Sequence, residues 1–164
     1  MRPNRLATFE YLGRHGYFLT FCTRGRQTFF ADSKVVQLAL DQFVFTCTEQ
    51  EFELTAYCFM PDHVHALVKG LTDRADFKEF ARLTKQRAGW RFKQRTGQRL
   101  WQEGYYEHVV RDEEGPASFY LYIINNPVKA GLVESPLEYP YWGSAAHTRE
   151  EMLEATEGVT EWVP

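Results

Sequence analysis

The sequence is poor in the features that mark several large classes of protein. Its three cysteines, Cys22, Cys47 and Cys58, are odd in number, and their spacing fits no zinc ribbon. All three lie in apolar segments, which is typical of buried, reduced thiols in a cytosolic protein. No apolar run is long enough to span a bilayer, and the first residues lead into no secretory signal. We therefore expect a cytoplasmic protein without a membrane partner.

Several familiar catalytic patterns are also missing. There is no glycine-rich phosphate loop, no Cys-x-x-Cys pair and no convincing Ser-His-Asp arrangement. There is no internal repeat and no low-complexity tract, and 164 residues with 44% hydrophobic side chains suit one domain with a substantial core. We divide the chain into an N-terminal arm (1–14), which we expect to be mobile or loosely packed, a folded domain (15–146) and an acidic tail (147–164).

The charge is unevenly distributed along the chain. The net charge is −3, yet residues 147–164 contain five glutamates and one arginine, so residues 1–146 are slightly basic. Residues 78–99 hold eight basic side chains and one acidic one, which is enough local charge to contact a phosphate backbone. The simpler interpretation is a solvated helix face. As candidate DNA-binding residues the sequence offers Arg24, Arg26, Lys85, Arg87, Arg91 and Lys129.

Hydrophobic periodicity predicts alternating strands and helices. Strands are expected at 17–23, 52–60, 63–69 and 105–111, and helices at about 34–50, 76–96 and 117–125. Gly89 weakens the second helix, and Pro127 should end the third. Residues 128–142 look extended and rich in turns, and the acidic tail is either a short helix or disordered. This order predicts an α+β sandwich of the ferredoxin-like or RRM-like kind, with an antiparallel sheet, helices on one face and a C-terminal catalytic helix.

The most informative residues are the pair His63 and His65. Residues two apart on a strand point to the same side, so both imidazoles can reach one metal ion. Two ligands are too few, and the candidates for a third are Asn126, His108, Asp62 and Glu107. Imidazole suits zinc, whereas amide and water oxygens favour magnesium or manganese.

The last predicted helix carries a tyrosine and an asparagine on one face. Tyr122 lies one turn before Asn126 on the polar side, whereas Tyr120 lies among isoleucines and should be core. A free tyrosine has a pKa of about 10 and is a poor nucleophile, so it needs help to lose its proton and a polarised phosphate to attack. A divalent ion supplies that polarisation. The pattern indicates a metal-assisted tyrosine nucleophile acting on phosphodiesters, although a surface tyrosine is the simpler interpretation of Tyr122 alone.

Taken together, these segments resemble the HUH single-tyrosine transposases, and specifically the REP-associated tyrosine transposases. The resemblance spans about residues 15–144 and depends on five stretches: YFLTF at 17–21, RGRQ at 24–27, AYCFMPDHVH at 56–65, LWQEGYYEHVVRDE at 100–113 and YIINNPVKAGLV at 122–133.

This resemblance implies that His63, His65 and Asn126 bind Mg²⁺ or Mn²⁺ and that Tyr122 is the nucleophile. The implied reaction is cleavage of single-stranded DNA near a hairpin through a 5′-phosphotyrosine, followed by strand transfer, by a monomer or a homodimer. The acidic tail departs from the basic character expected of the family and either limits DNA affinity or folds over the site.

Two other functions fit the residues. A non-catalytic protein on the same fold would bind single-stranded nucleic acid with the basic helix and with aromatic residues such as Tyr105 and Tyr106. A small zinc hydrolase would use His63, His65 and His108, and would make Tyr122 dispensable.

Overall fold

The β-rich runs of the sequence form a five-stranded antiparallel sheet. The computed structural model describes residues 6–164, and its strands lie side by side in the order β4-β1-β3-β2-β5. The strands are β1 (Gly16–Cys22), β2 (Phe52–Met60), β3 (His63–Gly70), β4 (Tyr106–Val109) and β5 (Trp142–Gly143). The first three agree with the predicted ranges to within a residue at each end, and β4 is shorter than its predicted range.

Four helices accompany the sheet, and the two longest begin at aspartate caps. The Asp32 carboxylate accepts a hydrogen bond from the Lys34 backbone, and Asp76 accepts one from Glu79, which satisfies amide groups in the first turn of each helix. The helices are α1 (Ser33–Glu49), α2 (Phe77–Thr96), α3 (Pro116–Lys129) and α4 (Arg149–Ala155). No helix within residues 6–164 combines the length and the apolar character needed to cross a membrane.

Alternation along the strands divides the core into two layers. On β3, Val64, Ala66 and Val68 pack under α1 and α2, whereas Leu67 faces α3 on the opposite side of the sheet. On β1, Phe18 joins the α3 layer. The predicted α+β sandwich is therefore confirmed, with α1 and α2 on one face of the sheet and α3 on the other.

The prediction that Pro127 ends the last helix is wrong. Helix α3 continues through this proline to Lys129. A proline inside a helix removes one backbone hydrogen bond, but the Pro127 ring is buried, so its packing offsets that loss. The side-chain amide of Asn126 also donates to the carbonyl oxygen of Tyr122 at 3.0 Å and supports the turn before the proline.

The predicted arm is packed rather than loose over the part that the structure describes; residues 1–5 of it lie outside the described residues. Tyr11 is buried and its ring stacks near Tyr17 and Phe77. The backbone of Gly13 donates to Ala75 at 3.0 Å. Burial of the Tyr11 ring therefore fixes the middle of this segment against the start of α2. At the other end, the acidic tail contains the short helix α4.

Candidate active site

The two histidines of β3 lie at the edge of a pocket between the sheet and α3. His63 and His65 project from the same face, as predicted, and their Nε2 atoms are 3.1 Å apart. The pocket has a volume of about 460 Å³, and its lining also includes Tyr122 and Asn126 from α3. The structure thus brings together the four residues that the sequence singled out.

The Nδ1 atom of each imidazole forms a hydrogen bond to a neighbouring side chain. The Asp62 carboxylate lies 2.7 Å from Nδ1 of His63, and the Thr20 hydroxyl lies 2.8 Å from Nδ1 of His65. Thr20 reaches His65 because β1 and β3 are paired with these two residues in register. Such outer contacts fix the orientation of each ring and direct both Nε2 atoms into the pocket.

Burial keeps both imidazoles neutral at neutral pH. Loss of hydration, with a smaller contribution from the neighbouring His63, lowers the pKa of His65 to about 3. Burial also lowers the pKa of His63, partly offset by Asp62. A neutral imidazole has a lone pair available for a metal ion, so this environment favours ligation over protonation.

Tyr122 and Asn126 face the histidine pair from one turn of α3. The Tyr122 ring meets the His65 ring edge-on, with the centroids 5.5 Å apart. The Asn126 side chain is within hydrogen-bonding distance of His65, and because its nitrogen is used by the Tyr122 carbonyl, its oxygen is the atom left for a ligand. Tyr120 is buried on another side of α3 beside Thr55, as its apolar neighbours predicted.

These residues fit a divalent cation. Two nitrogens bound to one ion at about 2.1 Å, at right angles, are about 3.0 Å apart, close to the separation of the two Nε2 atoms. Among the other candidate third ligands, Asp62 orients His63, and His108 is within 2.9 Å of Glu114. Glu107 is paired with Leu19, which faces the α1 and α2 layer, so it lies on the opposite face of the sheet. Within residues 6–164 no cluster of three or more His, Cys, Asp and Glu side chains is arranged to hold a metal, and the further side-chain ligand that the pocket offers is the Asn126 oxygen.

The end of the chain lies over this pocket. The Trp162 ring stacks on Phe119 with the centroids 4.6 Å apart, and it contacts Tyr122 edge-on at 5.5 Å. Glu161 forms an ion pair with Lys129, whose ammonium is 5.4 Å from the centre of the Tyr122 ring. Pro164 lines the pocket itself. The tail therefore folds over the candidate site, which is one of the two outcomes expected of it.

Comparison with known proteins places this arrangement in a family. The sequence profile described as "Transposase IS200 like" matches residues 12–126, which include both histidines, Tyr122 and Asn126. The chain belongs to the IS200-like transposase family. The match ends within α3, so the tail over the pocket lies outside it.

Individual relatives resemble this chain in sequence and in fold. A Haemophilus influenzae protein assigned to the REP-associated tyrosine transposases is 31% identical over 58% of this chain, and the match spans 61% of that relative's length. The REP-associated tyrosine transposase of Escherichia coli K12 is 24% identical over 80% of this chain and 77% of its own. A solved REP-associated tyrosine transposase, bound to a REP hairpin, has the same fold, with a TM-score of 0.74 at 22% identity over 100% of this chain and 92% of that one.

The candidate DNA-binding residues of this chain lie in three different places. Arg26 lines the candidate active-site pocket and pairs with Asp62 at 2.9 Å, and Lys129 lies beside Tyr122. Arg24 and Lys85 line a second groove, next to the 97–104 loop. Two others, Arg87 and Arg91, lie at the junction of α1 and α2, where Arg87 is paired with Glu49.

Sequence reasoning missed Thr20 and Trp162. The role of Thr20 can be predicted only once the register of β1 with β3 is known, because no pattern in its own segment distinguishes it. Trp162 could have been found from one weak pattern: it is an aromatic residue in an acidic segment, and such a residue indicates that the segment packs on the domain.

Proposed function

We propose that this protein is a metal-dependent single-strand DNA endonuclease and strand transferase that uses Tyr122 as its nucleophile. The observation that carries the proposal is the contact between Tyr122 and the histidine pair, since the Tyr122 ring lies edge-on to His65 in the pocket that also holds His63 and Asn126. A phenol beside neutral imidazoles and an amide oxygen suits covalent attack on a phosphodiester.

The reaction needs one bond to form and one to break. The Tyr122 oxygen attacks the phosphorus and loses its proton, and the bond from phosphorus to the 3′-oxygen breaks. The leaving oxygen takes up a proton and becomes a free 3′-OH, while the 5′-phosphate stays on Tyr122. Attack by another 3′-OH reverses these changes and transfers the strand, so no external energy source is required.

His63, His65 and Asn126 would hold Mg²⁺ or Mn²⁺. When bound there, the ion supplies Lewis-acid stabilisation of the charge that develops on the phosphate. Asp62 and Thr20 keep the two imidazoles oriented, and burial keeps them neutral. We propose single-stranded DNA next to a hairpin as the substrate, because a fold relative is bound to a REP hairpin, with the protein acting as a monomer or a homodimer.

Covalent capture of labelled DNA tests the proposal. The purified protein is incubated in Mn²⁺ with labelled single-stranded oligonucleotides that carry hairpins from the flanks of its own gene, and the products are separated on a denaturing gel. We expect a protein–DNA adduct that disappears in Tyr122→Phe and when the metal is chelated.

Tyr120→Phe is the matched control, because Tyr120 is on the same helix but is buried away from the histidines. Its adduct should remain. An adduct that persists in Tyr122→Phe would refute the assignment. DNA binding by the wild type with no adduct on any hairpin would favour a non-catalytic binding protein. Hydrolysis that survives in Tyr122→Phe, with zinc as the best metal, would favour the hydrolase.

A further inference from the structure

A second groove runs between α2 and the loop that comes after it. Its volume is about 790 Å³, larger than that of the catalytic pocket. One wall is the exposed side of α2 and the other is the segment 97–104. The polar and aromatic side chains that line it include Arg24, Lys85, Trp90, Lys93, Arg99 and Gln102.

The walls of the groove are fixed to each other. The Lys85 ammonium donates to the carbonyl oxygens of Gln102 and Gly104 at 2.9 and 2.7 Å. The Trp101 indole donates to the Lys85 carbonyl oxygen at 3.1 Å and lies against Gly89, where the absence of a side chain leaves room for the ring. The groove is therefore built before any ligand arrives.

The groove contains positive charge that other side chains in residues 6–164 do not neutralise. Arg24 and Lys93 are exposed, and neither forms a salt bridge or a side-chain hydrogen bond with another residue in the range 6–164. Arg99 has a solvent-exposed partner, Glu103, at 3.6 Å, and such pairs are weak. These three cations therefore give the groove a positive potential that attracts a polyanion.

An exposed indole completes the groove. Trp90 is 61% exposed, whereas Trp101 and Trp142 are buried and Trp162 is packed on Phe119. A flat aromatic surface beside cations is the arrangement that proteins use to stack an unpaired base while holding its backbone. A base within a duplex is already stacked and cannot use it, so the indole favours a single strand.

The groove and the catalytic pocket adjoin each other at Gln102. Gln102 lines both cavities, and its backbone nitrogen donates to the Cys22 carbonyl oxygen at 3.1 Å. Cys22 and Arg26, on the far side of this connection, line the catalytic pocket. A strand that leaves Tyr122 past Gln102 therefore enters the groove.

We propose that this groove is the track for the single-stranded DNA flanking the cleaved bond. Phosphates lie against Arg24, Lys93 and Arg99, one base stacks on Trp90, and Gln102 lies where the strand passes into the catalytic pocket. The inference rests on the proposed function for the direction of the strand, but binding in the groove needs no cleavage.

Binding to oligothymidine tests the proposal in the Tyr122→Phe background, so that no adduct forms. Stacking tolerates any base, so thymidine alone is a sufficient probe. We expect Trp90→Leu to weaken binding roughly tenfold and to remove quenching of the tryptophan fluorescence. Lys93→Gln should reduce the slope of log affinity against log salt by about 0.7, the value for one neutralised phosphate of a single strand.

Leu137→Ala is the matched control, since Leu137 is 64% exposed in the turn at 136–138 and does not line this groove, and it should bind as the parent does. The affinity for duplex DNA of equal length should change little in Trp90→Leu. Equal losses for single strand and duplex, or unchanged binding in Trp90→Leu and Lys93→Gln, would overturn the proposal. A wild type that binds in this way but forms no adduct would refute the proposed function and leave the groove assignment standing.

Discussion

The indole ring of Trp162 stands almost perpendicular to the phenol ring of Tyr122, with the ring centroids 5.5 Å apart. The same indole contacts Phe18 at 4.9 Å and stacks on Phe119, so its position is held by several aromatic contacts. The backbone of Trp162 also donates to the Ser118 carbonyl oxygen at 3.2 Å. The last residues of the chain thus cover one side of the proposed nucleophile.

We expect Trp162→Ala to accelerate adduct formation by Tyr122. Each aromatic contact contributes about 0.5–1.5 kcal/mol, and a loss of about 1–2 kcal/mol in the closed arrangement corresponds to roughly a 5–30-fold change in its population. The initial rate of adduct formation on the hairpin oligonucleotide measures the effect.

Glu161→Gln is the companion variant, because it removes the ion pair with Lys129 and leaves the indole in place. Its effect should be smaller and should shrink as salt is raised, since both side chains are partly exposed. A rate that stays unchanged or falls in Trp162→Ala, with thermal unfolding unaltered, would show that the tail supports the site instead of covering it.

Thr20→Val should weaken Mn²⁺ binding by about 10–100-fold, the usual cost of removing an outer contact to a metal-binding histidine. Valine keeps the shape of threonine but removes the hydroxyl that holds Nδ1 of His65. Titration calorimetry with Mn²⁺ measures the loss. Thr20→Ser retains a hydroxyl and should restore most of the affinity; equal weakening in both variants would point to packing instead of the hydrogen bond.

The histidine pair could be predicted because it depends on one local rule. Alternation along a strand places His63 and His65 on one face, and helical spacing places Tyr122 one turn before Asn126. The structure brings these two local patterns together across the layer between β3 and α3. Where a single strand or helix decides the geometry, the positions of the site residues could be predicted from the sequence.

The parts that were missed depend on contacts between distant segments. The role of Thr20 comes from strand register, and that of Trp162 from the packing of the tail on α3. The error at Pro127 has the same origin, because local rules end the helix there and burial of the ring in the core outweighs them. Tertiary packing decides each of these positions.

Gly70→Ala should lower the free energy of unfolding by about 3 kcal/mol or more, the upper end of the usual cost of overpacking. A methyl group there would lie 2.0 Å from the carbonyl oxygen of Gly13. The clash involves a backbone atom, so no side-chain rotation relieves it. The Gly70 amide also donates to the His15 carbonyl oxygen at 2.9 Å, so movement would break this hydrogen bond too. Urea unfolding measures the change.

Gly115→Ala is a suitable control for Gly70→Ala. A methyl group at Gly115 meets nothing within 4 Å, and the residue has an ordinary extended backbone with φ of −71°. Its effect should be below about 1 kcal/mol. Similar stabilities for the two variants would mean that residues 6–14 move away easily and that the N-terminal segment contributes little to the fold.

Lys85 gives the protein a pH dependence in the alkaline range. Burial lowers the pKa of Lys85 to about 8, below the ordinary lysine value of about 10.4. Between these two values the unfolded chain binds more protons than the folded one, so the contribution of Lys85 to stability increases as the pH rises. Below about pH 8 the cost of burying the charged ammonium is fully present.

We therefore expect the free energy of unfolding of the wild type, measured by urea titration relative to Lys85→Met, to increase from about pH 8 to about pH 10. Methionine keeps the apolar stem, so the comparison isolates the ammonium. A difference that is flat or decreasing over this interval would mean that the hydrogen bonds to Gln102 and Gly104 hold the charged form as well as water does.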